Sequence, residues 1–435
     1  MRAEKPREIA ARVLQRHGHG SDWLDALVEE ELAGAALAPA DRALVQELTF
    51  GVVRWQATLD WLIARKTAGR TQKNLLQILL RLGLYQLFWL NRIPDHAAVN
   101  DSVQLASQLG LGPQKGFVNA LLRGCLRERQ SLERQLEDLK TREPSVGYSH
   151  PQWLCDRWAG RWGPENLRAL LQWNNTPPAL WVRVNTLRTT PENLATRFHS
   201  EGVLFERRSF DYTSPDLVFE LKAHPSLTAL PSFRQGLFYV QDPSTLLAVH
   251  ELNPRPGEVV LDQCAAPGGK TTFIAQLMEN RGSVTAQEVD PRRSRLIREN
   301  CDRLGVTCVH ICCPGTPTHS EVPAAFDRIL VDVPCSNTGA MRRRVELRWR
   351  LQPAEIERLP KTQLALLRDA ATRLKPTGTL VYSTCSLEPE ENHGVVQEFL
   401  SGQPGFRLET ERELTPFADG VDGAYVAKLG RIADL

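Results

Sequence analysis

The stretch LDQCAAPGGKTT, Leu261–Thr272, joins two patterns that belong to different kinds of backbone. Ahead of it, EVVLD (Glu258–Asp262) is a short apolar run ending in an acid, as a buried strand would be. After it, TTFIAQLME (Thr271–Glu279) sets Phe273, Ile274 and Leu277 at helical spacing. Pro267, Gly268 and Gly269 at the junction allow a tight turn and the close approach of a ligand to the backbone. Strand, glycine turn and helix in that order predict an α/β sheet with a nucleotide-type site at its carboxyl edge. A phosphate-cradling loop would need G-x-x-x-x-G-K-[ST]; Gly269, Lys270 and Thr271 supply its tail, but Cys264 stands where its first glycine should be.

The strands that follow carry the chemistry. GSVTAQEVD (Gly282–Asp290) reads as a second strand ending in acid, with Glu288 or Asp290 about 20 residues past the glycines, where such folds hold ribose hydroxyls. PRRSRLIRENCDRLG (Pro291–Gly305) is a helix with proline at its start and glycine at its end, its arginines a solvated face. TCVHICC (Thr307–Cys313) is a third strand. Cys301, Cys308, His310, Cys312 and Cys313 invite a zinc reading, but their spacing repeats no C-x-x-C pair, so no metal is expected. FDRILVDVPCSNTGAMRRR (Phe326–Arg344) is an apolar strand ended by Asp332, with Cys335 just beyond. GTLVYSTCSLEPEEN (Gly378–Asn392) delivers Cys385 to the same edge, with an acidic helix start after it.

CAAPGGK, DVPCSNTG and STCS together resemble the cofactor loop and paired cysteine motifs of the RNA 5-methylcytosine methyltransferases. The resemblance implies S-adenosylmethionine as cofactor, held by the loop Cys264, Ala265, Ala266, Pro267, Gly268, Gly269 and Lys270, with Glu288 on the ribose (aspartate is more usual there, and Asp290 is the close alternative) and Asp332 at the strand end. It implies Cys385 as nucleophile and Cys335 as the group that assists release. The chemistry explains the pair: carbon 5 of cytosine takes a methyl group only after a thiolate has added to carbon 6. Asp332 is placed to protonate or hydrogen-bond ring nitrogen 3, and a base must then remove the carbon 5 proton. One position departs from the family: Cys313 stands where an aspartate normally meets the adenine amino group, and no acid follows before Glu321. MRRRVELRWR (Met341–Arg350) sets Arg342, Arg343, Arg344 and Arg348 beside the release motif without a matching acid cluster, which points to RNA phosphates and a splayed base.

Upstream, residues 1–130 show apolar spacing of three and four throughout: Arg7–Leu14, Ala35–Thr49, Gly51–Ala64, Asn74–Phe88 and Ala97–Leu109. LLRLGLYQL, IPDHAAVNDSVQLA and KGFVNALLR resemble a NusB-like RNA-binding domain; by pattern alone a plain helical bundle fits as well. A polar connector of mixed charge follows, partly helical, and His150–Asn175 forms two short helices. Trp153, Trp158, Trp162 and Trp173 lie there at helical spacing, a pattern of core residues more often than of base-stacking platforms. From Pro178 the pattern changes to short strands, and WVRVNTL and FYVQDPS resemble the small α+β subdomain of the same family, with Arg183 and Asn185 as RNA or domain-interface residues.

The expected architecture is therefore multidomain: an all-α NusB-like domain (1–130), a helical linker (131–177), a small α+β subdomain (178–245) and an α/β Rossmann-like methyltransferase core (246–435). That combination resembles the bacterial Sun/Fmu (RsmB) type of 16S ribosomal RNA methyltransferase; enzymes acting on transfer RNA share the core, and a non-catalytic RNA-binding or assembly factor could keep the fold. A net charge of +2 does not announce a nucleic-acid partner, so local charge must find the RNA. No run of 18 apolar residues occurs and the start carries charges where a signal peptide is apolar, so a cytoplasmic monomer with no membrane partner is expected. Nine cysteines without a regular framework suit reduced thiols.

Overall fold

The computed structural model describes residues 5–20, 22–313 and 323–432; Glu321 lies outside them. The chain forms two compact units, Met1–Pro177 with Met341–Arg350, and Pro178–Ala340 with Leu351–Leu435.

The first unit is helical. Its helices Pro6–His17, Pro39–Arg54, Gln56–Thr67, Asp95–Gln108 and Lys115–Arg127 surround Asn74–Trp89, and Leu24–Ala33 packs on the first two of them. That central helix buries Leu76, residues 78–80 and residues 82–87, as a helix apolar on most of its faces must. The break expected near residue 50 falls at Trp55 instead. Gly51 sits inside a continuous helix because a Cβ there would stand 2.0 Å from the Tyr85 ring; the glycine permits close helix packing and does not end the helix. The polar connector holds a helix, Arg129–Arg142, supported by Arg129–Glu133 and Glu137–Lys140 pairs one turn apart. Gln152–Asn175 is two helices joined at Gly163, whose φ of 77° precedes Pro164. Trp158 is buried there, while Trp153, Trp162 and Trp173 are half-buried.

The second unit is α/β. Strands β1 (Leu180–Val184), β2 (Leu204–Arg208), β3 (Val218–Ala223) and β4 (Phe238–Val240) make an antiparallel sheet in the order β2-β3-β1-β4. The helix Pro191–Ser200 packs on it through Phe198, which meets the rings of Phe205, Phe219 and Phe238. A seven-stranded sheet follows: β5 (Val259–Gln263), β6 (Ser283–Gln287), β7 (Val309–Cys312), β8 (Phe326–Asp332), β9 (Leu374–Thr384), β10 (Phe406–Leu414) and β11 (Ala424–Arg431). Their order is β10-β11-β9-β8-β5-β6-β7; β9 to β7 run parallel, and β11 is antiparallel to both its neighbours. The chain moves outward from β5 to β7, then returns to β8 on the other side of β5. The reversal makes β5/β8 a topological switch point, and ligands in such sheets bind beyond the carboxyl ends there. Among the described residues no helix is long and apolar enough to cross a membrane.

Candidate active site

At the carboxyl end of β5 the backbone turns at Cys264, which takes a left-handed φ of 64°, a conformation that costs a residue with a Cβ about 1–2 kcal/mol. Ala265 N donates to Gln287 O (3.0 Å) and Gly268 N to Ala265 O (2.8 Å), fixing the turn. Gly268, with φ 98°, starts the helix Gly269–Leu277. A Cβ on Gly268 would stand 3.2 Å from Ile297 Cα, and one on Gly269 3.0 Å from the Tyr239 ring. The room left by these glycines is thus partly taken by the protein's own side chains. Burial, then the charges of Asp332, Glu288 and Asp262, push the Cys264 thiol up to about 12, so it stays protonated.

Four acidic or basic groups gather at the strand ends. Lys270 Nζ lies 2.7 Å from Asp332 Oδ2, and Ser383 Oγ donates to Asp332 Oδ1 at 2.7 Å. Burial alone would lower the Lys270 ammonium, but Asp332 outweighs it and holds it above its ordinary value. A lysine spent on a strand-end carboxylate does not behave as a phosphate-loop lysine. Asp262 is fully buried and accepts from Thr271 Oγ1 (2.6 Å). Desolvation first, then the neighbouring Asp332, push its carboxyl up to about 7. Its other oxygen, Oδ1, has no partner among the described residues. Glu288 is buried beside the loop, accepting from Ala266 N (3.3 Å) and Asp290 N (3.1 Å). Asp290 accepts from Arg292 N and caps the helix Pro291–Leu304, which leaves Glu288 as the acid facing the loop. An orphaned carboxylate oxygen and a half-open Asp332 suit a ligand that brings hydroxyl and ammonium donors, as S-adenosylmethionine does.

The two cysteines meet. β8 and β9 are parallel neighbours, with Asp332 opposite Ser383, so Cys335 and Cys385 leave the same edge; their sulfurs stand 3.3 Å apart. Asn337, at φ 57°, accepts the Cys385 thiol through Oδ1 (3.0 Å) and donates from Nδ2 to Cys335 O (2.7 Å). The contact with Cys385, then burial, raise the Cys335 thiol well above its ordinary value. Cys335 therefore keeps its proton and can offer it to the Cys385 sulfur. The expected acidic helix start is a different object: the helix runs His393–Gly402, and Glu388 and Glu391 before it are buried. Sequence reasoning assigned no role to Glu391, Gln363, Asn337 or Ser383; the one signal was the crowding of acids in EPEEN after the cysteine.

The arginine run divides. Arg348 is 0% exposed; its Nη1 donates to Arg54 O, Ser149 O and Asn175 Oδ1, and its Nη2 to Asn174 O. Arg342 is buried with its guanidinium 3.8 Å from the centre of the Trp173 ring. The reading of both as RNA contacts is corrected: they hold Met341–Arg350 in the helical unit. Arg343 is half-buried, and Arg344 is exposed against the Trp23 ring. Arg183 and Asn185 are buried too. Arg183 donates to Gln241, Gly269 O and Thr272 Oγ1, and Asn185 to Gly236 O and Leu304 O. They join the small sheet to the large one, the interface alternative and not the RNA one. Cys313 sits just past β7, its sulfur 3.0 Å from Ser294 Oγ. Among the described residues no three His, Cys, Asp or Glu side chains are grouped to hold a metal.

Comparison with known proteins agrees with this architecture. Family models match in three places: NusB family at residues 4–127, an RsmF/B-like ferredoxin-like domain at 150–212, and 16S rRNA methyltransferase RsmB/F at 249–429. "Ribosomal RNA small subunit methyltransferase B" of Pectobacterium atrosepticum is 36% identical over 437 residues, covering 97% of this chain and 98% of that protein. "Probable ribosomal RNA small subunit methyltransferase B" of Bacillus subtilis is 33% identical, covering 95% and 92%. The crystal structure of PH0851 aligns over 99% of each chain with a TM-score of 0.78 at 24% identity, which shows the shared fold. The chain belongs to the RsmB/F family of S-adenosylmethionine-dependent RNA methyltransferases.

Proposed function

We propose that this enzyme methylates carbon 5 of a cytosine in 16S ribosomal RNA through a covalent adduct with Cys385. The observation that carries the reading is the 3.3 Å approach of Cys335 and Cys385 beside the Lys270–Asp332 pair, at the carboxyl edge of the switch point. S-adenosylmethionine, when bound, supplies an electrophilic methyl group on its sulfonium. Its binding falls to the loop Cys264–Lys270, Glu288, Asp332 and the orphaned oxygen of Asp262.

The protein's own groups account for the rest. Cys385, as thiolate, adds to carbon 6 and displaces the ring π electrons towards carbon 5, which becomes the nucleophile. Lys270 and Asp332 share an exchangeable proton in a site where ring nitrogen 3 needs one as charge develops. After methyl transfer the carbon 5 proton leaves to a base, the double bond reforms and the carbon 6–sulfur bond breaks. Cys335, 3.3 Å from that sulfur, balances the step by giving its own proton to the departing Cys385 sulfur as its sulfur takes up the carbon 5 proton. A cytosine reaches Cys385 only when unstacked, which favours loop or single-stranded RNA. Arg344, the exposed member of the run, and the half-buried Arg343 are the ones assigned to phosphate.

The test is a trapping gel with 16S ribosomal RNA and S-adenosylmethionine. Cys335→Ala is expected to leave a denaturant-resistant protein–RNA adduct and Cys385→Ala none. Adduct with transfer RNA alone would change the substrate. No adduct from either variant, with no methyl transfer by the unaltered enzyme, would refute catalysis and leave an RNA-binding factor.

A further inference from the structure

Glu391 is 0% exposed and the mechanism above does not use it. Its Oε2 accepts from Ser336 N (2.9 Å) and Gln363 Nε2 (2.8 Å), and its Oε1 from Ser386 Oγ (2.7 Å). Ser336 follows Cys335 and Ser386 follows Cys385, so a single carboxylate holds the residue next to each active-site cysteine. Gln363 adds a second grip on the Cys335 side, donating also to Pro334 O at 3.0 Å. Ser336 Oγ and Ser386 Oγ stand 3.0 Å apart, and Gly339 N donates to Cys385 O (2.9 Å). Beyond the carboxylate, the Glu391 backbone is itself fixed: Tyr382 OH donates to its carbonyl. Three neutral donors converge on one buried acceptor; its removal would leave Ser336 N without its partner and take one of their contacts from Gln363 Nε2 and Ser386 Oγ. Nothing in a fold requires that acceptor to join these two loops in particular.

We propose that Glu391 is a positioning residue that sets the separation of Cys335 from Cys385, and with it the balance between forming the covalent adduct and releasing it. The proposal rests on the covalent reading above. Release needs Cys335 held against the Cys385 sulfur, whereas addition needs Cys385 alone. Loosening the Cys335 side should therefore slow release more than addition. Gln363→Leu does this: it removes the donors to Pro334 O and Glu391 while leaving Glu391 two of its three.

The experiment uses the full chain, 16S ribosomal RNA and S-adenosylmethionine, reading single-turnover methyl transfer and denaturant-resistant adduct. Gln363→Leu is expected to accumulate adduct about tenfold over the unaltered enzyme, the equivalent of one lost hydrogen bond in the release step. Its cofactor affinity and its methyl-transfer rate should both stay within about twofold. Glu391→Ala should slow both steps, and Glu391→Gln should restore most of the loss. Its amide oxygen can face Ser336 N and Gln363 while its amide hydrogens face Ser386 Oγ, which also accepts. A merely structural residue would lower stability and cofactor binding without trapping RNA. Gln363→Leu that turns over without adduct overturns the proposal, even where Glu391→Ala fails to fold. Glu391→Gln as impaired as Glu391→Ala overturns it too, since charge and not geometry would then matter. Cys335→Ala on the same gel separates the two failures: adduct there but none with Gln363→Leu refutes only the positioning role, and no adduct there refutes the covalent reading with it.

Discussion

Replacing Arg348 with methionine separates a structural arginine from an RNA-binding one. The guanidinium is buried, its charge driven well below its ordinary titration range by desolvation and by the nearby Arg54. It supplies the donors to three backbone carbonyls and the Asn175 amide oxygen. Methionine fills the stem but leaves those four acceptors without that partner, at about 1 kcal/mol or more each, offset in part by no longer burying a charge. The net expected loss is about 2–4 kcal/mol in the helical unit. For a unit of this size each kcal/mol moves the midpoint about 2–4 °C, so its calorimetric transition should fall by roughly 5–15 °C. RNA affinity, measured by filter binding between about 50 and 200 mM salt, should keep its salt slope, because a buried guanidinium neutralises no phosphate. Arg344→Ala should do the opposite, leaving the midpoint in place and reducing the slope by about one. Arg348→Met that lowers the salt slope with an unmoved midpoint would refute the assignment.

Two further substitutions probe the cofactor side. Asp262 titrates near 7 in the folded chain against an ordinary value of 3.8, so between those limits the unfolded chain has lost a proton that the folded one keeps. Stability should therefore fall as pH rises from about 4 to about 7, by at most about 4 kcal/mol for a shift of about three units. Asp262→Asn, followed by urea denaturation across that range, should flatten the fall; an unchanged slope would place the titrating group elsewhere. Cys313→Asp should tighten S-adenosylmethionine binding up to about tenfold by restoring one hydrogen bond to the adenine amino group. Calorimetric titration showing equal or weaker binding would mean that Cys313 is not at the adenine.

β5, β8 and β9 were legible because each carries an apolar run that only a doubly covered sheet explains, and because the residues at their ends are chemically unusual. EVVLD, ILVDV and TLVYST all became strands, and the two cysteines they deliver converge. β10 was not legible: FRLETEREL puts charge on most of its length and pairs only with β11, on one edge. Composition misled at the arginine run for a physical reason. Five cations in ten residues resemble a phosphate-binding patch, yet whether a guanidinium meets phosphate or backbone carbonyl depends on the carbonyls that distant helix ends leave unpaired. Arg54, Ser149 and Asn174 lie 174 to 294 positions away from Arg348, and no local pattern encodes that meeting. Glu391 was hidden in the same way. In EPEEN every acid looks solvated, because a buried carboxylate is recognised by its donors, and two of these, Ser336 N and Gln363, come from 55 and 28 residues upstream. The motifs that deliver the two facing sulfurs are thus readable from sequence, while the group proposed to space them is defined only by the fold. A chain keeping both cysteines but losing the Glu391–Gln363 contact would still look like a catalyst on paper, and would be expected to stall with RNA attached.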